Sequence, residues 1–129
     1  MPKAFLTLTL LPDQYAICRL APNDAIPDWA QQGTFFSITK APDELSIVCS
    51  TQYVPEGVKV RRGWRALKFE GPLDIELTGV VASVAEPLAN AGVPIFLLAT
   101  YGTDYVLIQE EQIETATHAL TTFGHAVRD

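Results

Sequence analysis

Cationic side chains are scarce in this chain: nine Lys and Arg stand against fifteen Asp and Glu in 129 residues, a formal net charge of -6. Nucleic-acid binding begins with clustered positive charge that displaces counterions from phosphates, so this balance excludes a phosphate-tracking surface. The one basic concentration, Arg61-Arg62 with Arg65 and Lys68 nearby, reads as an exposed linker and strand edge. Histidine is rarer still. His118 and His125 have no Cys and no second His at metal-ligand spacing, so both read as solvated or partly packed side chains, with no metal and no catalytic role. Cys18 and Cys49 lie in strand-like runs without a CxxC and read as reduced core residues. No apolar run approaches the ~18 to 20 residues of a membrane span. The stretch from Phe5 to Leu11 is short, holds two threonines and meets Pro12-Asp13, which makes it a strand and no signal peptide. The expected compartment is the cytoplasm.

Catalytic machinery is also missing. There is no GxSxG elbow, P-loop or GxGxxG, and Ser46, Ser50 and Ser83 have no identifiable base. The acidic pairs Asp74 with Glu76 and Glu110 with Glu111 have the chemistry for acid and base work. Loop solvation accounts for the first pair and helix-end electrostatics for the second. The expectation is a protein that is no enzyme and carries no cofactor.

What the chain does have is enough apolar mass for a core. Hydrophobic residues make up 48% and charged residues 19%, ordinary for one globular domain or two small ones sharing a core. Pro55-Glu56-Gly57 and Arg61-Arg62-Gly63 interrupt the apolar patterning, so a linker is expected across 55–63, with halves at 1–57 and 58–129. In the first half, Leu6, Leu8 and Leu10 alternate with threonines. Pro12-Asp13 then turns the chain into Tyr15–Leu20, and a hairpin is the natural expectation. About two helical turns follow over 24–32, opened by Pro27-Asp28 and stopped at Gly33. Two further strands run over 35–39 and 45–49.

The second half is more regular. Residues 64–70 alternate as a strand with one better-buried face. Thr78 is a candidate cap for a helix beginning at Gly79, whose apolar positions Val80, Val81, Val84, Ala85 and Leu88 recur at helical spacing. Pro87 removes the amide that would bond the Ser83 carbonyl, so a bend or local break is expected there. Gly92 stops the helix, and 95–99 and 105–108 read as strands joined by a turn at Gly102-Thr103. Glu110 and Glu111 open a last helix with the stripe Ile113, Ala116, Leu120 and Phe123. Only Ala126-Val127 remains for a closing strand. A sheet left short there would expose an edge, inviting pairing with another chain or with the first half.

The run Phe69-Glu70-Gly71-Pro72-Leu73-Asp74 with Leu77-Thr78-Gly79-Val80 resembles the entry loop of ACT domains, small ferredoxin-like modules through which amino acids regulate metabolic enzymes. Leu88 to Phe96 and Thr100-Tyr101-Gly102-Thr103-Asp104-Tyr105-Val106-Leu107-Ile108 are similar to the tandem-ACT subfamily of small bacterial proteins, related to CASTOR-type arginine sensors. The resemblance covers 64–123, and more loosely 44–49 and 54–57. It implies an α+β fold of two ACT-like βαββαβ halves with antiparallel sheets covered by helices. It also implies an amino-acid-binding regulatory protein that acts on a separate enzyme or signalling protein. The alternative is a structural or oligomerisation module with a degenerate site and no ligand. Effectors in the family lie against this loop and the facing strand, which nominates Asp74, Thr78, Gly79, Val80, Ile95, Phe96, Thr100, Tyr101 and Asp104.

The residues give this nomination a physical basis. A helix start presents unpaired amides to a carboxylate, and Gly79 permits close backbone approach. A valine at this helix start is expected to be tolerated. Asp74, Glu76 and Asp104 offer charge-assisted bonds to an ammonium or guanidinium. A homodimer is the expected assembly, with strands such as 95–99 near the seam.

Overall fold

The computed structural model describes residues 5–70 and 79–129. These fall into two compact units, residues 13–64 and residues up to 12 together with 65–129. The expected division at 57/58 therefore differs from the compact units at both ends of the first half.

In the unit 13–64 the strands are β2 (Tyr15–Leu20), β3 (Ser37–Lys40), β4 (Leu45–Ser50) and the first part of β5 (Lys59–Phe69), hydrogen-bonded in the order β3-β4-β2-β5. Ala16, Cys18, Leu45, Ile47 and Cys49 alternate onto one face and form the core with Ala30, as period-two patterning dictates. Both cysteines are free and buried. A hydrogen bond between the two thiols lowers the Cys18 pKa and raises that of Cys49, with burial adding to the rise. The expected two-turn helix is a short 3-10 turn, Asp28–Gln31, following Pro27. Residues before it are held differently, since the Asp24 carboxylate accepts the Ala21 amide at 3.1 Å, a local turn bond that competes with helix.

Arg61-Arg62-Gly63 lies inside β5 and is no linker. Tyr15 faces Trp64 while Ile17 faces Arg61, so β5 carries one extra residue there, and Gly63 takes φ +87. A bulge containing a left-handed glycine lets a strand keep its pairing while it bends. Without the structure, the same glycine reads as punctuation.

The other unit follows the βαββαβ plan: the rest of β5, α1 (Val80–Asn90), β6 (Phe96–Ala99), β7 (Asp104–Gln109), α2 (Ile113–Phe123) and β8 (Ala126–Arg128). Its strands run β6-β7-β5-β1-β8, where β1 is Thr7–Leu10. The expected hairpin of β1 with β2 does not form. Both run antiparallel to β5, β1 on Leu67–Phe69 and β2 on Lys59–Trp64, while β1 also pairs β8 in parallel, Leu8 facing Val127. The first strand thus fills the gap that a weak last strand would have left. Arg65 fixes the chain where β1 ends, donating to the Leu11 carbonyl at 2.9 Å while pairing with Glu110 at 3.1 Å.

The helices cover one face of this sheet, and Leu8, Leu67, Phe69, Val84, Leu88, Val106, Ile108 and Leu120 close the core. No helix is long and apolar enough to cross a membrane among the described residues.

Contrary to expectation, α1 continues through Pro87. Proline leaves the Ser83 carbonyl without its usual amide, and His125 supplies the replacement. Its Nε2 lies 2.8 Å from that carbonyl, while its Nδ1 accepts the Leu6 amide at 3.0 Å. The acceptor role at Nδ1 places the proton on Nε2. His125 is 4% exposed, more deeply packed than the solvated or partly packed side chain expected from the sequence. His118 is exposed on α2.

Candidate ligand-binding site

Gly79 precedes α1 with φ +79 and ψ 3, and no side chain caps the helix among the described residues. The Ser83 amide returns to the Gly79 carbonyl at 2.9 Å, and the three amides before it belong to the first turn, where the helix offers no acceptor. An added Cβ at Gly79 would meet open space, so the glycine's purpose is its conformation. The expectation that valine is tolerated there is therefore corrected. A left-handed backbone costs an ordinary L-residue roughly 1–2 kcal/mol and suits glycine or asparagine, and a β-branched residue fits it worst.

Val80 buries its side chain in the core, leaving only its backbone to a ligand. Ile95 is partly buried against the same core, and Phe96, half-buried, faces Leu107 across β6 and β7. At the other end of β6, Thr100 and Tyr101 stand in the turn and Asp104 begins β7 opposite Ala99. Tyr101 is fully exposed and is no packed aromatic. The Thr100 hydroxyl is engaged within the turn, bonding the Thr103 carbonyl at 3.1 Å and amide at 3.3 Å. Asp74 and Thr78, and Glu76 between them, lie outside the described residues.

Thr103 was not singled out in the sequence, yet it anchors this region. Its hydroxyl donates to the Phe69 carbonyl at 2.5 Å, which sets the β6–β7 turn against the end of β5, where the chain leaves towards α1. Thr100, Tyr101 and Asp104 are thereby brought to that end of the sheet. Ile95 and the buried side chain of Val80 are committed to packing. The only sequence sign was a threonine in a turn.

The last residue of the described stretch before this segment, Glu70, has a lowered pKa. The Thr9 hydroxyl, 2.6 Å from its Oε1, is the main cause, with Lys68 and Arg128 contributing by charge. A lowered folded-state pKa means that the carboxylate stabilises the fold above its unfolded pKa. That contribution disappears as pH falls through the folded value. In Thr9→Val the Glu70 titration, followed by NMR, is expected to move up towards an ordinary glutamate; an unmoved midpoint would assign the shift elsewhere.

A separate cleft of about 320 Å³ opens at the start of α2, lined by Arg65, Glu110, Glu111, Ile113 and Glu114. It includes none of the nominated residues. Among the described residues no group of three or more His, Cys, Asp or Glu is disposed to hold a metal.

Comparison with known proteins matches residues 59–122 to the ACT domain and residues 13–57 to a second family's N-terminal domain. The solved structure of protein Atu0741 from Agrobacterium tumefaciens shares 38% identity and a TM-score of 0.93, covering 98% of this chain and 95% of its own. Human CASTOR3P is 30% identical over 68% of this chain. The bovine cytosolic arginine sensor for mTORC1 subunit 1 is 27% identical over 67%. The chain spans 62% and 30% of the lengths of these two curated relatives. Residues 59–122 belong to the ACT domain family, and the chain is homologous to CASTOR-type arginine sensors.

Proposed function

We propose that this chain is an amino-acid-binding regulatory protein that works as a homodimer in the cytoplasm on a separate enzyme or signalling protein, with no catalysis of its own. The observation that carries the reading is the start of α1. There a left-handed glycine opens the helix without a side-chain cap among the described residues, and its first-turn amides suit a carboxylate. The tie from Thr103 to Phe69 sets Asp104 at the sheet end from which the chain departs for that helix. Asp74 is the first candidate for the ammonium end of an effector, and Asp104 the second. Thr78, Gly79 and Val80 would meet the carboxylate end, with Ile95, Phe96, Thr100 and Tyr101 shaping the remainder. The bovine relative named as an arginine sensor favours an effector of this class.

Replacing Asp104 or Asp74 by Asn keeps size and removes charge assistance, worth roughly 1.5–3 kcal/mol for a bond to a charged group. Affinity for the effector is expected to fall about ten- to hundredfold in the variant whose acid holds the ammonium, since 1.4 kcal/mol is a factor of ten. Titration of both variants tests this. Unchanged affinity in both would assign the ligand to backbone groups alone.

A purely structural module is the second reading. It is favoured by the engagement of the Thr100 hydroxyl within its own turn and by the burial of Val80. A chain that is stabilised by no amino acid in a thermal-shift screen would support it, because a ligand that binds only the native state must raise its stability.

A further inference from the structure

Strand register in the unit 13–64 gathers cations that the sequence disperses. Arg19 stands opposite Lys59 and Ile17 opposite Arg61, while Cys18 and Val60 between them turn to the core. Alternation therefore puts Arg19, Lys59 and Arg61 on the face of the sheet away from that core. All three are exposed. Like charges directly opposite on an antiparallel pair destabilise it, and a chain with fifteen Asp and Glu has carboxylates enough to avoid the clash. Folding alone does not account for the arrangement.

Only one of the three cations is engaged. The Nε of Arg19 lies 3.8 Å from the Glu44 carboxylate, and its guanidinium donates to the Asp43 carbonyl at 3.3 Å. Lys59 and Arg61 have no ion-pair partner among the described residues. We propose that this face docks an acidic, extended segment of the protein on which the chain acts, with carboxylates at alternate positions. This rests on the regulatory reading above and names the surface that its partner would meet.

Spacing sets the form of the segment. Residues two apart on a strand project from the same face roughly 6.6 Å from each other, so an extended segment lying along β5 repeats its carboxylates at the interval of Lys59 and Arg61. Arg19, directly across from Lys59, widens the charged strip to β2. Beyond Arg19 the same cross-strand row continues with Ser46 and then Thr39, hydroxyls able to donate to further acceptors of the segment.

The charge balance selects a short acidic segment over a nucleic acid. Three cations on two strands make no track for a phosphate backbone, and a net charge of -6 repels a long polyanion. Locally the balance differs, because five of the nine Lys and Arg lie in the unit 13–64 against six Asp and Glu. A few carboxylates can approach this face without meeting the bulk of the negative charge.

Amide NMR titration of the full chain at low salt, with a short peptide of alternating Asp and Thr as probe, tests the face. Saturable shifts are expected around residues 17–19 and 59–61, weakening at ~150 mM salt as exposed charges are screened. The same composition in an Asp block and a Thr block should bind less tightly; equal or tighter binding would overturn the alternate spacing. Lys59→Glu and Arg61→Glu should each weaken the alternating peptide about fivefold, in line with exposed ion pairs. Lys40→Glu makes the same charge change on the core side of the unit, opposite Leu45, and should leave affinity within about twofold. Equal weakening by all three would reduce the binding to net charge and overturn the proposal. Should the reversals lose their fold by circular dichroism, Lys59→Gln and Arg61→Gln put the same question without adding a negative charge. Tighter binding of a single-stranded DNA oligonucleotide at the same amides would overturn the acidic-segment assignment, and a halved mass of Arg61→Glu in light scattering would reassign the face to a contact between copies. Absence of peptide shifts would overturn the face and leave amino-acid binding standing, since the probe involves none of the effector residues.

Discussion

Replacing His125 by alanine is expected to lower stability by about 2–6 kcal/mol, because a buried donor or acceptor left unpaired costs roughly 1–3 kcal/mol and this ring serves one of each. The carbonyl is that of Ser83, the amide that of Leu6. The aromatic rings of Phe123, stacked 5.4 Å from the imidazole, and Phe5, edge-on at 6.4 Å, lose a packing partner as well. Urea unfolding measures the loss directly. The cause can be isolated with a second substitution. Pro87→Ala returns an amide to the Ser83 carbonyl, so His125→Ala should be less damaging in that background, with a coupling on the order of 1–2 kcal/mol. Additive losses would mean that the histidine stabilises only through Leu6 and the aromatic rings.

Leu8→Ala is expected to cost about 2–5 kcal/mol, the range for a buried leucine truncated in a core that relaxes only partly. Leu8 is fully buried, with Phe69 opposite on one side and Val127 on the other. It joins the first strand to the core of β5, β8 and the helices, with Leu6 and Leu10 packed beside it. Thr7→Ala, on the opposite face of the same strand, should change stability by well under ~1 kcal/mol, as expected for a site without core packing. Comparable losses in both would contradict the inserted position of β1, as would an insensitive Leu8.

The regular part of the fold was legible because each element announced its own period. Val80, Val84 and Leu88 mark α1, Ala116 and Leu120 mark α2, and the apolar runs over 95–99 and 105–108 mark the hairpin between them. What escaped was pairing over long distance. Alternation of Leu6, Leu8 and Leu10 shows which face is buried and says nothing of which strands lie alongside, so the chain's first strand was expected to pair β2 where it pairs β5 and β8. Gly63 and Pro87 show a second kind of loss. A left-handed glycine in a bulge and one in a loop have the same letter, and a proline breaks a helix only if nothing else takes up the abandoned carbonyl. That rescue comes from a histidine 42 residues away from Ser83.

The candidate site divides along the same line. Gly79 was readable as a special backbone position, although its left-handed conformation was not. Tyr101 and Asp104 were nominated through resemblance. Thr103 was not, since its contribution is a single bond to the Phe69 carbonyl, a contact between residues 34 apart that no local pattern encodes.

Calorimetric titration of the full chain against the twenty amino acids tests the central claim most directly. The account predicts saturable heat with one amino acid or a small related group, and loss of that heat when the effector's carboxylate is amidated, because the first-turn amides of α1 would then lack their anion. Absence of heat with all twenty at millimolar concentration would contradict it and leave the chain a structural member of its family.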